Sequence, residues 1–194
     1  MSIVFITIPG EAKQLFANTL HKNTGNGVEL VIVQKQKPLS LFERLLRLIR
    51  RVGILNVPRE VWFGFLLRLN GTRHALEYFR AHTVPALEPI IPKTMEVDSV
   101  NSDEVYATLK KISPDLLVIW GSALLEPSIL KTAKHAINLH MGYCPHYRGA
   151  LANQHAMLRD DVSHIGATIH FAEERVDAGD ILATITPDLT MPPR

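Results

Sequence analysis

Three short stretches hold the residues best suited to chemistry: Asn138-Leu139-His140, Pro145-His146-Tyr147-Arg148-Gly149 and Val176-Asp177-Ala178-Gly179-Asp180-Ile181. Together they offer an amide, an imidazole and a carboxylate. Acyl transfer to an amine passes through a tetrahedral oxyanion, which an amide N–H can stabilise. The reaction must also take a proton from the amine and deliver it to the leaving nitrogen, and imidazole titrates in the right range. A carboxylate can hold the ring or order a relaying water. Residues two apart on a strand face one side. If Ala136–His140 is a strand, Asn138 and His140 point together and Leu139 points away. Asp177 must then arrive from a loop between two later strands. Taken singly these are weak signals, since Asn and His at strand ends commonly satisfy backbone groups and Asp-Ala-Gly-Asp commonly forms a turn. Their ordered combination singles them out.

The elements needed to position them are legible as an α/β alternation. Ile3–Ile8 is β-branched and aromatic and stops at Pro9-Gly10, as a buried strand does. Glu11–His21 places Ala12, Leu15, Phe16 and Leu20 on one helical face. Val28–Val33 is a second strand, so the opening reads as a parallel strand–helix–strand unit. Later, Asn101-Ser102 is expected to cap a helix running to about Ile112, with Glu104 near its positive end. Leu116–Trp120 is a strand closed by Gly121-Ser122. Glu126–Lys131 is a short helix with Pro127 in its first turn. Ala136–His140 is a strand, Ala150–Leu158 a helix, and Ile165–Phe171 and Ile181–Ile185 are strands flanking the Glu173–Asp180 loop. The order favours an open sheet that binds ligands at the carboxyl ends of its strands. Gly121-Ser122 and Asn138-Leu139-His140 both fall at such ends.

One block interrupts the rhythm, at about residues 39–80. Leu41, Phe42, Leu45, Leu46, Leu48, Ile49 and Val52 fall on one face of a helix over 41–52, Arg44, Arg47 and Arg51 on the other, with Arg50 beside them and Gly53 placed to end it. A second helix is expected from about Arg59 to Arg80, the two forming a helical hairpin inserted in the sheet domain. The arginine face admits a solvated surface, an acceptor-binding lobe, or contact with tRNA or an anionic membrane surface.

The chain has 194 residues, enough for one domain or one domain with an appendage. A formal net charge of +2 does not by itself argue for nucleic acid. Cys144 is the single cysteine, so no intramolecular disulfide is possible, and a reducing cytoplasm is expected. No apolar stretch reaches the roughly 18–20 residues of a membrane span, and no histidine or cysteine spacing suggests a metal site. There is no Gly-x-Gly-x-x-Gly, which weighs against a nicotinamide dinucleotide. The ending Met191-Pro192-Pro193-Arg194 leads us to expect a fragment. The oligomeric state is open.

The motifs of residues 136–182 resemble the core of the formyltetrahydrofolate-dependent formyltransferases. That family includes methionyl-tRNA formyltransferase, glycinamide ribonucleotide transformylase and the sugar N-formyltransferases. Its pattern of N-x-H, P-x-Y-R-G, G-x-T-x-H and D-x-G-x-I is met by Asn138-Leu139-His140, Pro145 to Gly149, Gly166-Ala167-Thr168-Ile169-His170 and Asp177 to Ile181. Val100-Asn101-Ser102 and Pro114 to Val118 also look like the family. The likeness is good over 97–182, fair at the first strand and absent across the inserted block.

The resemblance implies a Rossmann-like, open, mostly parallel sheet of the formyltransferase type, with 10-formyltetrahydrofolate as co-substrate. It implies that Asn138 stabilises the formyl oxyanion, that His140 stabilises charge or moves protons, and that Asp177 positions His140 and a relaying water. The folate's ring would lie between Gly121, Ser122, Ala123, Leu124 and Leu125 on one side and Glu173, Glu174, Arg175, Val176 and Asp177 on the other. The acceptor would be a primary amine of a small molecule, an amino sugar placed first. Alternatives are a formyltetrahydrofolate hydrolase, a methionyl-tRNA formyltransferase-like enzyme, and a non-catalytic folate-binding relative. Glu11 argues against an acceptor phosphate on the Pro9-Gly10-Glu11 turn, where glycinamide ribonucleotide enzymes hold theirs. Gly142-Tyr143-Cys144-Pro145 and His155 depart from the family and are expected to border and reshape the acceptor pocket. Cys144 is expected to pack or line the pocket, and His170 to be structural.

Overall fold

The computed structural model of the chain describes residues 1–36, 40–58, 61–62, 91 and 93–188. The chain divides into two compact units, Met1–Lys35 with Pro89–Arg194, and Gln36–Glu88.

The first unit is built on a seven-stranded sheet. Its strands are β1 (Ile3–Thr7), β2 (Val28–Gln34), β3 (Thr94–Val97), β4 (Leu116–Trp120), β5 (His135–His140), β6 (Ala167–Phe171) and β7 (Ile181–Ile185), in the spatial order β3-β2-β1-β4-β5-β6-β7. The pairs from β3 to β5 are parallel, and β6 and β7 add antiparallel to the end. Every residue of β1 is buried, the signature of a parallel strand covered on both faces. Alternate residues feed two cores. Val4, Ile6, Ile32, Leu117 and Ile119 pack on one side with Val105 and Leu109. Ile3, Phe5, Val31 and Val118 pack on the other with Ala17, Phe16 and Leu20.

The helices of this unit are α1 (Glu11–Asn23), α3 (Asp103–Ile112), α4 (Pro127–Leu130) and α5 (Ala152–Leu158). Strand order reverses between β1 and β4, so their carboxyl ends open a crevice. The mostly parallel α/β sheet expected from the sequence is therefore present.

Some details differ from the sequence expectations. The edge strand β3 was not expected, because only Val97 of its four residues is buried and no apolar run announces it. Helix α5 begins at Ala152 rather than Ala150, after Leu151 takes a left-handed φ of 63°. Strand β6 begins at Ala167 rather than Ile165, after a 3-10 turn over Val162–His164. At the start of α3 only Ser102 caps, accepting from the Val105 N–H, and Asn101 is used elsewhere.

In the second unit, α2 (Leu41–Val52) is set by a capping box. The Ser40 hydroxyl accepts from the Glu43 N–H at 3.2 Å and the Glu43 carboxylate accepts from the Ser40 N–H at 2.9 Å. Gly53 ends the helix at a φ of 78°, which L side chains rarely adopt. A 3-10 turn over Ile54–Asn56 follows. The helix expected over 59–80 lies outside the described residues, apart from Val61 and Trp62, which are helical.

Candidate active site

Strand β5 lies between β4, parallel to it, and β6, antiparallel to it. That register sets Asn138 opposite His170 and His140 opposite Thr168. Asn138, His140 and His170 thereby share one patch of the sheet's surface. Asp177 reaches this patch from the loop between β6 and β7, at a left-handed φ of 47°. A non-glycine residue holds that conformation only where its surroundings enforce it.

The Asp177 carboxylate makes four polar contacts. Asp177 Oδ1 accepts from Asn138 Nδ2 at 3.1 Å, and Oδ2 accepts from the Gly149 N–H at 2.8 Å. His140 Nδ1 stands 3.2 Å from Oδ2, and His170 Nε2 stands 3.4 Å from Oδ1. Burial pushes the Asp177 carboxyl up, but His170, the Gly149 N–H and the charge of His140 outweigh it and hold the pKa below the ordinary value. The hydrogen bond to Asp177 raises the His170 pKa, against burial and with help from the Phe171 carbonyl.

His140 is held at its other nitrogen too, with Nε2 3.0 Å from the Tyr147 carbonyl. The Tyr147 hydroxyl in turn donates to Asp161 at 2.8 Å. The turn after His140 is fixed by Thr168, whose hydroxyl accepts from the Cys144 N–H at 3.0 Å and donates to the Gly142 carbonyl at 2.7 Å.

Asn138, His140, His170 and Asp177 form part of the wall of a cavity of about 390 Å³, along with Gly121 to Leu125 and with Glu173, Arg175 and Val176. Glu174 does not line it; it borders an adjoining groove with Lys131. The Gly121–Leu125 loop is tied down by two amides. Gln34 Oε1 accepts from the Ala123 N–H at 2.9 Å, while Asn101 donates to the Leu124 carbonyl and accepts from the Glu126 N–H, both at 2.9 Å. Apolar side chains such as Leu124 and Val176, half-exposed on facing loops, suit a flat heterocycle whose edges bond to backbone groups.

A model of the formyl transferase family matches residues 71–191, more than half of the sequence. The chain belongs to the formyl transferase family. Formyl transferases of this type take their one-carbon group from 10-formyltetrahydrofolate. The methionyl-tRNA formyltransferase of Caldicellulosiruptor saccharolyticus is 27% identical over 184 residues, which cover 94% of this chain and 48% of the relative. That of Nitratiruptor sp. is 38% identical over 85 residues, covering 44% of this chain and 28% of the relative. The chain thus spans less than half the length of these curated relatives. Among solved formyl transferases, phosphoribosylglycinamide formyltransferase from Bacillus halodurans superposes with a TM-score of 0.55 at 21% identity, covering 98% of this chain and 83% of that one. A sugar N-formyltransferase from Shewanella sp. gives 0.54 at 15% identity, covering 96% and 57%. At these identities the likeness is one of fold.

Asn138 and His140, two positions apart on β5, each lie within about 3.2 Å of the carboxylate of Asp177, which comes from far along the sequence. Three neighbours were not anticipated. His170, expected to be structural, contacts both Asn138 and Asp177. Its signal was the i, i+2 spacing of Thr168 and His170, which mirrors Asn138 and His140 once β6 is known to pair with β5. Gly149 and Gly142 serve through backbone and lack of a side chain. His155, expected to border the pocket, is instead exposed on α5 and absent from the cavity wall. The Cys144 thiol is buried, and burial together with the Asp177 charge pushes its pKa up, so it remains a protonated packing group. Lys13, whose ammonium lies 5.0 Å from the centre of the Trp120 ring, brings a cation close to the turn where Glu11 had argued against anions.

Proposed function

We propose that the chain is the catalytic module of an enzyme that moves the formyl group of 10-formyltetrahydrofolate to a primary amine. The observation that carries this reading is the shared carboxylate of Asp177, bonded to Asn138 and facing His140 in one cavity wall. The folate supplies an activated formyl carbon. Asn138 presents an amide N–H to the formyl oxygen as it gains charge in the tetrahedral intermediate. His140, with Nε2 against the Tyr147 carbonyl and Nδ1 against Asp177, is oriented at both nitrogens and stabilises that charge from a fixed position. Asp177 orients the ring and the water that carries the amine's proton to the leaving nitrogen. The Gly121–Leu125 and Glu173–Val176 loops hold the donor between them.

The preferred acceptor is the amine of a small molecule, an amino sugar first. A second reading, an aminoacyl-tRNA acceptor, is favoured by the names of the curated relatives. The test begins with calorimetric titration of the chain with tetrahydrofolate and a stable 5-formyl analogue, with His140→Ala alongside. Binding by the wild type leads to a screen of amino-sugar nucleotides against methionyl-tRNA, with formate release reporting hydrolysis. A folded wild-type chain that ignores both folates would sink the reading.

A further inference from the structure

The inserted unit has a composition unlike the rest of the chain. Residues 36–88 carry nine Lys and Arg against four Asp and Glu, whereas the remainder carries twelve against fifteen. The basic excess is arginine-rich and accompanies apolar side chains that the unit leaves in solvent. On α2, Phe42 is 68% exposed and Leu45 is 45% exposed. In the turn that follows, Ile54 is 68% and Leu55 is 91% exposed, and Val61 and Trp62 are also exposed. A soluble surface scatters such residues singly; here six fall within 21 positions of one basic segment.

The helix that begins the patch is fixed independently of anything covering it. Its capping box engages Glu43, the one acidic residue of α2, leaving Arg44, Arg47, Arg50 and Arg51 as the other charged residues of the helix. A helix with a strong apolar stripe and an arginine-rich opposite face is the physical description of an interfacial helix. Among the described residues no helix is long and apolar enough to cross a membrane, so such a helix would lie in the surface plane.

We propose that α2 and the turn after it form a docking surface for an anionic lipid bilayer. Phe42, Leu45, Ile54 and Leu55 enter the headgroup boundary, and Arg50, exposed on the same helix, meets the lipid phosphates. The mixed chemistry decides the occupant. Bases could stack on Phe42 or Trp62, but aliphatic Leu45, Ile54 and Leu55 gain nothing beside a phosphate backbone and are buried at a headgroup boundary; a second copy of this basic unit would bring like charges together. This proposal goes beyond the transferase reading and does not depend on it.

The test is flotation of the 194-residue chain with phosphatidylcholine vesicles, with and without phosphatidylglycerol. Brominated lipids are added to quench tryptophan, with Trp62 the exposed reporter. The expected result is binding only to the anionic vesicles, weakened by salt, with quenching. Leu55→Ser and Phe42→Ser should each weaken partitioning about tenfold, and Arg50→Gln roughly fivefold. Melting temperatures should stay at the wild-type value. Leu55 is so exposed that its replacement removes little packing, which keeps the test valid if Phe42→Ser misfolds. The proposal is overturned by a folded chain that ignores anionic vesicles, or by Leu55→Ser binding like the wild type. It is equally overturned if tRNA binds while vesicles do not, or if Leu55→Ser only converts a dimer to a monomer.

Discussion

Asn138 and His170 stand opposite each other across the β5–β6 pair, with Asn138 Nδ2 3.2 Å from His170 Nε2. His170 Nδ1 lies 2.7 Å from the Phe171 carbonyl, which can only accept, so that nitrogen carries a hydrogen. A neutral ring then accepts at Nε2 from one Asn138 N–H, while Asp177 takes the other. A protonated ring cannot accept. It donates toward Asp177 and releases one Asn138 N–H. The protonation of His170 therefore governs whether Asn138 has a donor to spare.

That coupling fixes the sign of a pH effect. The His170 pKa is raised above 6.5 in the folded chain, so its stabilising contact with Asp177 is fully present below 6.5 and is lost as pH rises through the raised value. The Asp177 pKa is depressed below 3.8, so on the acid side the contact is lost as pH falls through that lower value. Between the two, the pair should contribute on the order of 1–3 kcal/mol, as for a buried hydrogen bond to a charged group. Thermal melts of wild type and His170→Gln from acid to alkaline pH should show the widest gap near pH ~5–6, closing as pH climbs past neutrality. A gap that stays constant across this range would mean the contact involves a neutral ring.

Asp177→Asn keeps an oxygen to accept the Gly149 N–H at 2.8 Å but removes the charge that faces two imidazoles. Formyl transfer should fall by roughly 10²–10⁴-fold, the range for losing general acid–base assistance. Folate affinity, set by the two loops, should change little. Single-turnover rates paired with calorimetry separate the two, and equal turnover in mutant and wild type would remove Asp177 from the mechanism.

The sheet and the clustering of Asn138, His140 and Asp177 were legible for different reasons. Ile3–Thr7 and Leu116–Trp120 are continuous apolar runs because both faces of each strand are covered, and few other environments produce that pattern. The cluster was legible because Asn138 and His140 obey the strand period and Asp177 recurs in a family pattern. The contacts of His170 with Asn138 and Asp177 were not legible because they depend on the antiparallel register of β6 on β5, and sequence does not state which strands pair. The two ties on the Gly121–Leu125 loop span 89 and 23 positions, from Gln34 to Ala123 and from Asn101 to Leu124, and no local pattern joins residues so far apart. Strand β3 was missed because Thr94 and Glu96 are exposed on an edge and carry no hydrophobic signal.

Gly142 is required by what surrounds it. A Cβ there would collide with His140 Nε2 and Ala152 Cβ, and would lie 2.8 Å from the Tyr147 carbonyl. Gly142→Ala should cost about 1–3 kcal/mol through overpacking. Relief needs both the His140 ring turned off its carbonyl partner and Ala152 at the start of α5 displaced, so turnover and melting temperature should fall together. Crystallography of the variant would show the ring displaced. An unmoved His140 with normal turnover would mean the turn after β5 and the start of α5 absorb the extra carbon.

The loop ties make the last prediction. Asn101 holds the loop through two hydrogen bonds and Gln34 through one, and neither residue forms part of the cavity wall. They act on any ligand only by fixing the backbone of Gly121–Leu125. Each bond contributes about 1 kcal/mol, so Asn101→Ala should raise the KM for the folate donor by roughly thirtyfold and Gln34→Ala by roughly fivefold. Values of kcat and the acceptor KM should stay near wild type, since Asn138, His140 and Asp177 are untouched. Gln34→Glu retains the acceptor oxygen facing the Ala123 N–H and should restore the donor KM. A general loosening of the fold would instead lower kcat and raise both KM values together, and Gln34→Glu would then rescue nothing.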